Sequence, residues 1–100
     1  MEWDKFKMAQ KFLQRANAIH PEDATSASLQ EQVLALQNVY YDCYMSSFSK
    51  EALVIRLQQI IDGNFEMPED EEVVNEKQYR ETYVAEAKVI LASIEREAFR

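Results

Sequence analysis

The segment VYYDCYMSSFSKEALVIRL, residues 39–57, decides how many helices this chain has. Its flanks are apolar at helical spacings, but its middle, SSFSKE (46–51), places serine at 46, 47 and 49. Serine side chains compete for nearby backbone groups and favour caps over helix interiors. The spacing therefore predicts a break, with one helix ending near Ser46 and another starting at Lys50. A single helix over 29–62 is the less favoured alternative.

The first half of the segment holds three of the five tyrosines and the only cysteine. At helical intervals of about 100° per residue, Val39, Tyr40, Tyr41, Cys43, Tyr44, Met45 and Phe48 sweep an apolar arc of about 240°. An ordinary surface helix needs an arc of only about 100°. Asp42 and Ser46 are the polar strip. Either this helix is the most central of its bundle, or part of the arc faces a partner. Core packing accounts for most apolar side chains at helical spacing, yet tyrosine also suits an interface, because its ring offers apolar area while its hydroxyl stays wet. Tyr40, Tyr41, Tyr44 and Met45 are the candidate partner anchors.

Upstream, Trp3, Phe6, Ala9, Phe12, Leu13, Ala16 and Ile19 form an apolar stripe that predicts a helix over about 3–19. Lys7, Lys11 and Arg15 make a basic ridge elsewhere on it. His20-Pro21 ends the helix, since the residue before proline is biased out of the helical region. PEDATSAS then reads as a linker. The next N-cap is Thr25, Ser26 or Ser28, and Ser28 with Glu31 has capping-box spacing; that helix spans about 28–46.

Downstream, Leu53, Val54, Leu57, Ile60 and Ile61 predict a helix over about 50–62, with Gly63 as its left-handed terminator. GNFEMPEDEE is a loop. A last helix, about 72–98, carries Tyr79, Tyr83, Ala87, Ile90, Leu91, Ile94 and Ala98 on one side, with Glu76 and Arg80 as an i,i+4 pair. Four helices joined by short loops predict one all-α domain, a small antiparallel bundle over residues 1–100. AIHPEDA (18–24) resembles the helix end and proline of a tetratricopeptide unit, but no second copy lies about 34 residues on, so a repeat array is unsupported.

One glycine and two prolines leave too little turn chemistry for a many-stranded sheet. A single cysteine cannot form an internal disulfide, MEWDKFKMAQ is too charged to read as a signal peptide, and no apolar run reaches membrane-spanning length. The reducing cytoplasm is the expected setting, with no membrane as partner. Of the net charge of −7, residues 61–100 hold eleven acids against five bases, whereas residues 1–60 are nearly balanced. That asymmetry disfavours direct nucleic-acid binding. It suits solubility, or steering towards a basic protein.

Chemistry finds little footing. DGNFEMPEDEE places Asp62, Asn64 and Glu66 at calcium-loop positions, but Met67 stands where glycine is needed and Val73 where a bidentate glutamate is needed. One histidine and one cysteine do not make a zinc set. His20 and Cys43 are the only conceivable nucleophile and base, and a cysteine in an aromatic helix is ordinarily an inert buried thiol. One glycine excludes a phosphate-binding loop. No catalytic, metal or cofactor site is expected.

The expectation is a small acidic, non-enzymatic protein-binding module, most simply an inhibitor, immunity protein or antitoxin that covers a basic partner. Tyr40, Tyr41, Tyr44 and Met45 would anchor it, and Glu69, Asp70, Glu71 and Glu72 would steer the encounter. The alternatives are a structural or assembly protein that forms a homodimer through the aromatic face, and an accessory domain holding a helical peptide.

Overall fold

Each helix begins where a short polar side chain can take the place of the missing backbone acceptor. In the computed structural model, which describes residues 2–69 and 73–99, α1 (Lys5–Asn17) is capped by Asp4, whose Oδ1 accepts from Lys7 N at 3.1 Å. A 3₁₀ turn at Pro21–Asp23 follows. Ser26 caps α2 (Ala27–Ser46), accepting from Leu29 N at 3.2 Å. Ser49 caps α3 (Lys50–Ile61), accepting from Ala52 N at 3.0 Å. Asn75 caps α4 (Glu76–Glu95), accepting from Gln78 N at 3.0 Å. The break at SSFSKE is therefore present, and Ser49 is the residue that restarts the helix.

The capping box drawn from Ser28 and Glu31 is not formed. Ser26 takes the cap, Ser28 Oγ donates to Gln78 Oε1 at 3.1 Å, and the Glu31 carboxylate accepts from Val74 N and Asn75 N at 3.2 and 2.8 Å. Glu31 thus ties α2 to the approach of α4, a use that local spacing could not reveal.

At the far end of α3, Gly63 adopts φ 87°. Gly63 N donates to Ile60 O at 2.9 Å and Asn64 N to Gln59 O at 2.8 Å, so both bonds of a left-handed terminator are made. The end of α4 repeats this with Glu97 at φ 54°: Glu97 N donates to Ile94 O and Ala98 N to Ser93 O.

The four helices form the small all-α bundle expected, and consecutive helices run antiparallel. α2 is its centre, packing against α1, α3 and α4, while α3 leans mainly on α4. Small side chains make this close packing possible: Ala16, Ala35, Cys43 and Ala87 are fully buried, among Phe12, Val39, Leu53, Leu57 and Ile60. The radius of gyration, 13.4 Å, matches the roughly 13 Å expected of a 100-residue globule, and the buried apolar side chains of the described residues form one cluster.

The central place of α2 accounts for most of its wide apolar arc. The α1 stripe needs one correction. Its buried residues are Met8, Phe12 and Ala16, one straight i, i+4, i+8 row, whereas Phe6 is 78% exposed.

Candidate functional site

The tyrosine-rich end of α2 divides along its length. Tyr40 lies in the core, 7% exposed, and its hydroxyl donates to Glu86 Oε1 at 2.7 Å. Burial, reinforced by the Glu86 carboxylate, pushes its pKa up to about 12. Tyr40 is therefore not presented to a partner, which corrects its place among the anchors. Tyr41 is half-buried and donates to Asn17 Oδ1 at 2.7 Å, which ties α2 to the end of α1. Tyr44 and Met45 are 39% and 76% exposed.

Two further side chains join the exposed pair. Past Ser46 the chain turns, and Ser47 takes the inward position: it is buried, its hydroxyl donates to Tyr44 O at 2.9 Å, and Trp3 Nε1 donates to Ser47 O at 2.9 Å. With that place filled, Phe48 points outward, 67% exposed. Phe6 of α1 lies beside it, and together with Ala9, Tyr44 and Met45 they line a shallow groove of about 430 Å³, with Lys5 at its margin. The Lys5 ammonium stands 5.2 Å over the Phe6 ring.

Met45 also lines a second depression, an open cleft of about 840 Å³ between α2, the α3–α4 loop and the first half of α4. Its wall is a polar network. Arg56 donates through Nε to Asp42 Oδ1 at 2.7 Å and through Nη2 to Asp42 Oδ2 at 2.8 Å. The Tyr83 hydroxyl is 2.7 Å from Asp42 Oδ2 and 3.2 Å from Asn38 O. Arg56 Nη1 also donates to Asn64 O at 3.2 Å, pinning the loop. Phe65 stacks on Tyr83 with ring centroids 4.4 Å apart, and the Arg80 guanidinium lies 5.0 Å from the Phe65 ring. Asp42's bond keeps the Arg56 proton on more firmly than usual, and burial pushes the Tyr83 phenol up. Among the described residues, no buried side-chain polar atom lacks a partner.

Of the acids singled out in sequence, Glu69 is exposed, and Asp70, Glu71 and Glu72 lie outside the described residues. Glu66, on the α3–α4 loop, lines the cleft together with Asp42 and Met45. His20 and Cys43 are not brought together: His20 Nδ1 is 3.3 Å from Glu22 Oε1 at the surface, while Cys43 is fully buried, with its thiol pushed up by burial. Among the described residues, no group of three or more His, Cys, Asp or Glu side chains is placed to hold a metal ion, and no helix is long and apolar enough to cross a membrane.

Sequence reading missed Phe6 and Phe48 as surface residues and the Asp42–Arg56–Tyr83 network altogether. The one available signal was Asp42 itself, the only charged side chain within the tyrosine run. Comparison with models of protein families, with curated proteins and with solved structures finds no match to this chain.

Proposed function

We propose that this protein is a non-enzymatic protein-binding module whose docking face is the exposed apolar surface of Phe6, Tyr44, Met45 and Phe48. That surface carries the reading. Three aromatic rings and a methionine at these exposures offer on the order of 500 Å² of apolar area, near the upper end for a monomer's largest patch. Aromatic residues and methionine are the types enriched at protein interfaces. The Trp3–Ser47 hydrogen bond holds the turn that displays Phe48, so little ordering cost falls due on binding.

The acids support a more specific form of the proposal, an inhibitor- or immunity-type protein that covers a basic partner. Glu66 lines the cleft to which Met45 also belongs, and Glu69 is exposed on the same α3–α4 loop. In this form the apolar side chains set residence time, and the acids of residues 66–72 set the association rate.

A tagged pull-down from the native host, read by mass spectrometry at low and moderate salt, tests both layers. The expected result is a stoichiometric basic protein, held less well as salt rises and lost from the Met45→Ser/Phe48→Ser double variant. Capture that survives in the double variant would remove the apolar face from the reading. Capture indifferent to salt, and to Glu66→Gln with Glu69→Gln, would remove the steering acids.

A further inference from the structure

We infer that, in the absence of another partner, this face is covered by a second copy of the chain. The two protomers would be related by a two-fold axis passing near Met45. The inference rests on the reading that the Met45 surface is a docking face, and it names the occupant.

Charge is unevenly distributed around the apolar side chains. Met45 belongs to both depressions. On the α1 side the margin is Lys5, and on the α3–α4 loop side it is Glu66, both exposed. In a two-fold interface the same patch meets itself in reversed sense. An axis near Met45 would lay the Lys5 margin of each protomer towards the Glu66 margin of the other, giving two opposite-charge contacts, while Asp42 and Arg56 in the same cleft are already paired with each other.

The area agrees. Roughly 500 Å² of apolar surface, with polar margins added, approaches the roughly 800 Å² per partner of a standard stable interface. The exposed groove places Phe48 and Phe6 beside Met45, so the apolar contact would be continuous across the axis.

Light-scattering chromatography and sedimentation equilibrium from micromolar to millimolar concentration test the pairing. The expected result is a concentration-dependent dimer, converted to monomer by Met45→Glu with unchanged helicity by circular dichroism. Lys5→Glu and Glu66→Lys should each weaken the dimer by about tenfold, because each reversal strikes two symmetric contacts. The double variant should regain most of that loss, since its charges are again opposed. A protein that stays monomeric throughout, a dimer indifferent to Met45→Glu, or a double variant weaker than either single one would each overturn the inference. A monomeric protein that still captures another protein through Met45 and Phe48 would overturn the pairing alone and leave the docking reading standing.

Discussion

Arg56 grips Asp42 with two parallel hydrogen bonds, Nε to Oδ1 at 2.7 Å and Nη2 to Oδ2 at 2.8 Å. The two residues stand 14 apart in sequence, on helices joined by the SSFS turn, so the pair clasps the α2–α3 hairpin. Tyr83 of α4 completes it through the second carboxylate oxygen. The side chains are 27% and 18% exposed, so the pair is desolvated enough to matter without being cut off from water.

Removing one partner should therefore destabilise more than a surface ion pair would. Arg56→Ala is expected to cost about 2 kcal/mol, because a half-buried carboxylate loses its counter-charge and the loop loses its tether at Asn64. Arg56→Lys should recover only part of this, since an ammonium cannot make the two-pronged contact. Urea denaturation followed through the single tryptophan, Trp3, would show the loss as a lower midpoint.

Alkaline pH should unfold the protein through its buried thiol and phenols. Cys43, Tyr40 and Tyr83 all hold their protons more tightly when folded, chiefly because burial disfavours the charged forms. Their contribution is fully present below the unfolded-state values and is lost as pH rises towards the folded ones. Stability should begin to fall as pH passes 9.0, the ordinary value for the thiol, with a slope of about 1.4 kcal/mol per pH unit from Cys43 alone. The fall should steepen past 10.0, the ordinary tyrosine value. Cys43→Ala should delay the onset, and urea midpoints measured from pH 8 to 11 check both statements. In the folded protein at neutral pH, Cys43 should resist a chromogenic disulfide reagent that labels it in urea.

Gly63→Ala should cost about 1 kcal/mol. A Cβ at this position meets nothing within 4 Å, so the cost is that of holding an L-residue at φ 87° and not of a clash. Thermal unfolding should show a lower midpoint with native helicity retained at low temperature.

The docking face should be separable from the core. Phe48→Ser is expected to change stability by less than about 0.5 kcal/mol, because the ring is already largely in water. Leu57→Ala, at a fully buried position, should cost about 2–5 kcal/mol. A large loss from Phe48→Ser would place that ring in the folding core and remove it from the face.

Where the signal is local, the chain's own spelling was enough. The helix break at SSFSKE, the cap by a serine just ahead of α3, the terminator at Gly63 and the apolar periodicities of α3 and α4 each depend on residues within a turn or two of one another. Such signals do not need the rest of the molecule. The failures were equally specific. The apolar stripe read for α1 includes Phe6 and leaves out Met8, whereas the side of α1 that packs on α2 buries Met8 and leaves Phe6 outside.

The amino-acid order thus determined that four helices form, and that α2 carries more apolar arc than one contact can cover. Tertiary structure decided how that arc is divided. Tyr40 is covered because α1 and α4 flank it, with Phe12 and Glu86 against it. Tyr44, Met45 and Phe48 stay open because Ser47 occupies the one inward place at the turn and Trp3 closes over it. Helical periodicity fixes the angle at which a side chain leaves its helix, but what it then meets depends on chain far away in sequence.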